Sequence, residues 1–330
     1  ATHWSSRASR KNRYTPSHVA LQPPAPPVAA APEKESRPVA LAAQYLRLHH
    51  PHAPLKVHLA WDVSFWVAVA FVLGSAAWIC NGHLLYTPLS PTPSPPHANA
   101  AAWLAFVGGT LFEVGAYLAY VESLPANTGH AELYAEFHAH LARAQGELEK
   151  LDPARRVPSR ESGDEEDAKA RRRFRWIGAG SPRDLGFLAS AIQFAAATVF
   201  WVSTITGLPG VIPTLTEKNT PVSVVLFWTP QVVGGTGFIV ASLLLMFEEQ
   251  RAWWRPAPLR IGWCVAVWNL VGAVGFTLCG ALGYAAVSSS GANYQSVLST
   301  FWGSWAFMIG SAFQLWETLW REDPPDAQTH

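Results

Sequence analysis

Apolar residues along this chain of 330 residues form six long blocks that are separated by polar segments. Each block reaches the roughly 20 residues that an α-helix needs to cross the hydrocarbon layer of a bilayer. Apart from the polar stretch 123–184, the connections are short, which favours an antiparallel bundle. The pattern predicts an all-α polytopic membrane protein with six transmembrane helices, at 60–80, 101–122, 185–207, 226–247, 261–287 and 297–319.

Composition and charge support this interpretation and give the helices a direction. Only 14% of the residues are charged, whereas soluble domains carry about 25%. Of the 24 Lys and Arg residues, 23 lie on one side of the predicted helices, and only Lys218 lies on the other. Because positive charge is retained on the cytoplasmic side, we expect both termini to be cytoplasmic. The pattern fits a protein integral to the plasma membrane or to an endomembrane.

The second, fourth and sixth blocks align with one another without gaps, and so do the first, third and fifth. In the even blocks, the aligned sets are Gly109, Gly235 and Ser304, then Gly115, Ala241 and Gly310, and finally Glu122, Glu248 and Glu317. In the odd blocks, they are Gly74, Ala196 and Gly272, then Trp78, Phe200 and Phe276. The sequence therefore predicts three copies of one helical hairpin, all in the same orientation, with small residues that let the helices approach closely.

The three hairpins leave polar segments between and around them. We predict hairpins at 58–124, 185–248 and 261–320, a disordered cytoplasmic tail at 1–57 and a second tail at 321–330. The cytoplasmic segment 125–184 carries an amphipathic helix over 130–151, with leucines along one stripe. A polybasic stretch follows this helix and precedes the third block.

The small-residue pairs of these hairpins carry a resemblance to known families. Leu73-Gly74-Ser75 and Ile309-Gly310-Ser311 resemble the YrhK-like two-helix membrane domain. Over about 58–320 the chain is also similar to multipass integral membrane proteins of filamentous fungi, notably in 268–272 (Trp-Asn-Leu-Val-Gly) and 301–305 (Phe-Trp-Gly-Ser-Trp). Because members of these families are largely uncharacterised, the resemblance implies a fold unit and no catalytic residue.

Glu113 is the polar residue that the repeat does not explain, since its equivalents are Ile239 and Met308. Tyr117 lies on the same predicted helix face, and acidic groups within transmembrane helices often mark functional paths. One interpretation is a proton- or cation-responsive group, and the other is a protonated carboxyl that bonds a neighbouring helix. Gln193 and Asn269 occupy one repeat position. One interpretation is that their amides face a shared interior and bond Glu113 or each other, and the other is that they only form hydrogen bonds between neighbouring helices.

The acids at the helix ends and the basic segment form two further candidate sites. Glu122, Glu248 and Glu317 end their helices on one side, where we expect pairing with arginines such as Arg251, Arg255, Arg260 and Arg321. The alternative is a vestibule for cations. The polybasic segment predicts contact with anionic lipids at the cytoplasmic face, through Arg171, Arg172, Arg173, Arg175 and Trp176. The other interpretation of this segment is that its positive charge only anchors the topology of the chain in the membrane.

The sequence contains no recognisable catalytic motif. The three cysteines form no CxxC pair, and no phosphate-binding loop, Ser–His–Asp arrangement or pair of catalytic carboxylates is visible. We therefore expect that the protein is not an enzyme and binds no metal, cofactor or nucleic acid. The sequence does not identify its protein partners, and it is compatible with an oligomer. The favoured hypothesis is a scaffold, lipid-interacting or sensing protein. The alternative is a small ion channel or proton-coupled transporter that uses Glu113.

Overall fold

The computed structural model describes residues 15–16, 48–49, 63–90, 95–125, 127, 175–212, 220–250 and 252–319. The chain divides into two compact units, of which Pro54–Leu124 with Ile177–Arg321 is one and Ala1–Ala53, Pro125–Trp176 and Glu322–His330 form the other. The predicted amphipathic helix 130–151, the tail 321–330 and nearly all of the tail 1–57 lie outside the described residues. Within the second unit, the structure describes the strands β1 (Thr15–Pro16) and β2 (Leu48–His49), which pair in antiparallel fashion.

All the long elements that the structure describes are helices, as predicted. They are α1 (Val63–Tyr86), α2 (Ala98–Ser123), α3 (Leu185–Thr206), α4 (Thr229–Glu249), α5 (Ile261–Gly283) and α6 (Ser290–Leu319). A 3-10 turn, Thr87–Leu89, follows α1, while a helical turn, Thr220–Ser223, and a π-helical segment, Val224–Trp228, lead into α4.

The bounds of the helices differ from the predicted ones where polar residues continue or end the hydrogen-bonded ladder. Helix α6 begins seven residues before the predicted 297, because the backbone N–H of Asn293 already bonds the Ser289 carbonyl at 3.0 Å. The Ser289 hydroxyl also accepts from the backbone N–H of Ala292 at 3.3 Å. Hydropathy alone does not register such a polar first turn.

Five of the described helical segments are long and apolar enough to cross a membrane, consistent with a multipass membrane protein. They are Val63–Leu89, Ala98–Ser123, Leu185–Thr206, Pro221–Glu249 and Ile261–Gly283. Helix α6 is not among them; besides serine and threonine it contains asparagine, glutamine and Glu317. Several of its hydroxyls are buried and bond the backbone of their own helix: Ser304 donates to the Thr300 carbonyl at 2.6 Å and Ser311 to the Phe307 carbonyl at 2.7 Å. The buried hydroxyl of Ser296 instead donates to the Cys279 carbonyl of α5 at 2.8 Å.

The six described helices form a closed ring within their unit. Each helix packs against the next one in the chain, and α6 packs against α1. Neighbouring helices run in opposite directions, as contacts at both ends show: Ser64 at the start of α1 donates a hydrogen bond to Glu122 at the end of α2, and the hydroxyls of Tyr86 and Tyr294 lie 3.5 Å apart. The first of these ends is called the Glu122 end below, and the second the Tyr86 end.

Three aromatic rings from the odd helices meet in the middle of the ring of helices. The ring centroids of Trp78 and Phe276 are 4.9 Å apart, those of Phe200 and Phe276 5.6 Å, and those of Trp78 and Phe200 5.8 Å. All three side chains are buried. Each of α1, α3 and α5 thus contributes one ring to a common contact.

The even helices add three more rings to this contact. Phe307 of α6 lies 5.2 Å from Phe112, 5.2 Å from Phe276 and 6.3 Å from Phe238, measured between ring centroids. We call the six side chains the aromatic core: Trp78, Phe112, Phe200, Phe238, Phe276 and Phe307. Because each ring touches rings of other helices, the aromatic core joins all six helices.

Candidate functional site

Glu113 lies on the outer side of the contact between α2 and α3. Its Oε1 accepts a hydrogen bond of 2.9 Å from the hydroxyl of Thr198, an exposed residue of α3. Its Oε2 is shielded from solvent and has no hydrogen-bond partner among the described residues. Phe112, the preceding residue, points into the aromatic core, so the carboxyl group of Glu113 lies beside that core and outside it.

Further side chains of α2 and α3 continue this contact in both directions. The indole N–H of Trp201 donates to the hydroxyl of Thr110 at 2.9 Å, and the ring of Phe194 lies 5.5 Å from that of Tyr117. Thr110, Glu113 and Tyr117 are spaced by three and four residues, which places them on one face of α2. We call these side chains the α2–α3 seam: Thr110, Glu113, Tyr117, Phe194, Thr198 and Trp201.

The structure places Glu113 and Asn269 at different helix contacts. Asn269 of α5 lies against α6, where its Oδ1 would be 2.6 Å from a Cβ atom added to Gly310. Gln193 lies in α3 and is half-buried. Among the described residues, no hydrogen bond joins Gln193 or Asn269 to Glu113.

The acids at the Glu122 end have different surroundings. Glu122 accepts the hydrogen bond from Ser64, Glu248 is half-buried, and Glu317 is only 4% exposed. An ion pair at this end involves Glu249, the residue after Glu248, which is 6% exposed and lies 3.2 Å from Nη1 of Arg260.

Glu249 is a polar residue that the sequence analysis missed. The same Nη1 atom of Arg260 also donates to the backbone carbonyl of Glu249, at 2.8 Å. The signal was the spacing: Glu249 follows Phe238 by eleven residues, or about three helical turns, so the two share the inward face of α4. Glu248 aligns with Glu122 and Glu317 in the repeat, but this alignment does not indicate which acid lies on the inward face of α4. Arg251 and Arg321 lie outside the described residues.

Only the end of the predicted lipid-binding segment can be described. Arg171, Arg172 and Arg173 lie outside the described residues, whereas Arg175 and Trp176 are described and exposed. The Asn127 side chain bonds the backbone of Arg175 twice, at 2.6 and 2.7 Å. These bonds hold the backbone of Arg175, and Arg175 itself is exposed.

A layer of buried polar residues lies next to the aromatic core, toward the Tyr86 end. Three buried polar residues each follow an odd-helix member of the aromatic core (Trp78, Phe200 or Phe276) by three positions; they are Asn81, Ser203 and Cys279. Asn81 donates to the Ala101 carbonyl at 2.7 Å, and Gln231 donates to the Cys279 sulfur at 3.1 Å. These bonds join helices to each other, and the sequence analysis did not single the residues out.

Neither metal chemistry nor a relative identifies a function for these sites. In the described part of the chain, no group of three or more His, Cys, Asp or Glu side chains is placed to hold a metal ion. Comparison with protein-family models, with curated proteins and with solved structures gave no match for this chain.

Proposed function

We propose that this chain is a non-enzymatic multipass membrane protein that acts through its outer surface, as a scaffold, lipid-interacting or sensing component. Its architecture is three YrhK-like helical hairpins in one orientation, with six spans and both termini cytoplasmic. The observation that carries the proposal is the aromatic core, which fills the middle of the ring of helices with large apolar side chains. Glu113 lies beside this core, and Glu122, Glu248 and Glu317 lie at the Glu122 end.

Equivalent packing in the three hairpins supports the repeat. In each hairpin, the central aromatic residue of the first helix lies over a glycine of the second. A Cβ atom added to that glycine would approach the aromatic residue to 2.7 Å in the first and second hairpins and to 3.3 Å in the third. The pairs are Gly108 with Trp78, Gly234 with Phe200, and Gly303 with Phe276. The glycines align in the same gapless register as the end acids.

The position of α6 in the ring supports a sixth span. Its 30 residues give a length of about 45 Å, more than the roughly 30 Å of hydrocarbon that a span must cross. Its buried hydroxyls bond backbone carbonyls of α6 or, for Ser296, of α5. On its outer side, Trp305, Phe313 and Trp316 are exposed. A helix that hides its polar face against α1 and α5 can present an apolar face to lipid.

The closed interior argues against a conduction path through the centre. Ions and protons cross membranes along water, backbone carbonyls or polar side chains, and among the six side chains of the aromatic core the polar group is the indole N–H of Trp78, which is buried and has no hydrogen-bond partner among the described residues. The unpaired oxygen of Glu113 belongs to the α2–α3 seam. Among the described residues, this carboxyl group favours the alternative, a proton-coupled transporter with a path along this seam.

A flux assay on the reconstituted protein tests the proposal. We expect liposomes that contain the full chain to show no flux of protons, Na⁺, K⁺ or Cl⁻ above that of protein-free liposomes. Glu113→Gln, which keeps an acceptor for the Thr198 hydroxyl, serves as the matched variant. A flux that this substitution abolishes, with folding unchanged by circular dichroism, would overturn the proposal and establish the transporter.

A further inference from the structure

The loop between α4 and α5 presents large apolar side chains to the outside. Trp253 is 73% exposed, Trp254 is 70% exposed, and Leu259 is 99% exposed. The two indole rings pack edge to face, with their centroids 5.6 Å apart. Full exposure of three such side chains to water is unfavourable, so this loop, called the tryptophan loop below (252–260), requires a partner.

The tryptophan loop is held in place by several bonds. Arg260 ties its end to Glu249 through the ion pair and the carbonyl bond described above. The backbone N–H of Arg255 bonds the Ala252 carbonyl at 3.0 Å, and that of Arg260 bonds the Ala257 carbonyl at 2.9 Å. The backbone that carries the two indoles is thus held by bonds within the loop and at its end.

A side-chain amide at the end of α4 adds a further connection. With its nitrogen facing the Trp253 carbonyl, Gln250 donates to that carbonyl at 3.0 Å. Its oxygen then accepts from the indole N–H of Trp263 in α5, at 2.8 Å. The backbone that carries Trp253 is therefore linked to both helices.

The position and charge of the tryptophan loop identify the partner. The loop joins two of the candidate membrane spans, Pro221–Glu249 and Ile261–Gly283, so it lies where the hydrocarbon layer ends. Indole side chains favour this boundary. Residues 250–260 contain three arginines and no acid, and basic residues at the boundary attract anionic headgroups.

We propose that the tryptophan loop docks into a bilayer leaflet that contains anionic phospholipids, with Trp253, Trp254 and Leu259 among the upper acyl chains and Arg255 at the headgroups. This inference rests on the membrane placement in the proposed function and deepens it by naming the lipid class and the segment that binds it, and it holds whether or not the protein conducts ions. It assigns a lipid contact to a segment separate from the polybasic one.

Fluorescence quenching in nanodiscs tests the depth of the two indoles. The emission of the full chain minus that of a Trp253→Phe/Trp254→Phe variant isolates them. We expect lipids brominated near the start of their acyl chains to quench this difference emission, and aqueous iodide to leave it unchanged. Trp103→Phe supplies a matched comparison, since Trp103 is an exposed indole of the span α2. Quenching by iodide alone, or by neither reagent, would overturn the docking.

Lipid competition tests the charge preference. Brominated phosphatidylserine and brominated phosphatidylcholine, each mixed with unlabelled lipid, give a relative association constant from the same difference emission. We expect Arg255→Gln to lower the preference for phosphatidylserine about fivefold and Arg255→Lys to retain it. An unchanged preference in Arg255→Gln would refute the anionic headgroup contact.

Discussion

Replacing Gly234 with alanine tests how closely α3 and α4 approach each other. A Cβ atom at this position would lie 2.7 Å from the carbonyl oxygen of Ala196, 2.7 Å from Cβ of Phe200 and 2.9 Å from the backbone N of Phe200. Ordinary contacts between such atoms begin near 3.4 Å. Two of the three atoms belong to the backbone of α3, so a side-chain rotation cannot relieve the overlap and the helices must separate.

The expected cost follows from two opposing effects. Forcing an extra carbon atom into a packed contact typically costs about 1–3 kcal/mol, and a backbone obstacle places this site in the upper half of that range. Alanine stabilises a helix relative to glycine by about 1 kcal/mol. We therefore expect Gly234→Ala to lower the free energy of unfolding by about 1–2 kcal/mol.

Reversible unfolding in mixed micelles, with the fraction of denaturing detergent increased stepwise and helix content followed by circular dichroism, measures this difference. Gly291→Ala is the matched control, because the nearest atom to its added Cβ is the Ser289 hydroxyl oxygen at 3.8 Å. We expect the control to be as stable as the parent or slightly more so. Equal stability of the two variants would refute the close approach of α3 and α4.

The same unfolding assay checks three further predictions. Phe276→Ala removes the ring that contacts three other members of the aromatic core, and we expect a loss of about 3–5 kcal/mol. Arg260→Gln leaves the buried carboxylate of Glu249 without its ion pair, and we expect a loss of about 1–2 kcal/mol, since the arginine itself is partly exposed. Tyr120→Phe deletes the hydroxyl that donates to the Gly178 carbonyl, and we expect a loss of about 1 kcal/mol.

Each of these predictions has an outcome that contradicts it. A Phe276→Ala variant within 1 kcal/mol of the parent would mean that the aromatic core is loosely packed, since about 3 kcal/mol is the least that a filled site loses. If Arg260→Lys were no more stable than Arg260→Gln, the charge on Arg260 would be irrelevant. Parent-like stability of Tyr120→Phe would show that water replaces the lost hydrogen bond.

The main elements of the fold were predictable because each long helix corresponds to a long apolar run in the sequence. The gapless alignment also placed Trp78, Phe200 and Phe276 at one repeat position, and the structure brings their rings together. Helix α6 differs from the other five long helices in its lower apolar content, yet it packs in the same ring. Its serines satisfy their hydroxyls on backbone carbonyls, so a helix can be polar in composition and still be packed as firmly as an apolar one.

The surroundings of single polar residues were harder to predict. Five of the helices are apolar on nearly all sides, so the sequence does not show which face meets a neighbour. The position of Glu113 at the contact with α3 depends on which helix lies beside α2, which a single sequence does not specify. Glu248 and Glu249 are neighbours in the sequence, but their side chains leave the helix about 100° apart around its axis. Such a difference separates a half-buried acid from a buried one.

The contact between α6 and α1 has a consequence for how the protein is made. The hydroxyls of Ser75 and Ser311 lie 3.5 Å apart although 236 positions separate them in the chain. During synthesis, the first hairpin is complete long before its last neighbour exists, and one side of α1 is without that neighbour in the meantime. Local hairpins form early and contacts of long sequence separation form late, so closure of the ring is a late event that awaits the final helix. A chain that stops before α6 would leave two open edges, on α1 and on α5, and we expect quality control in the membrane to recognise them.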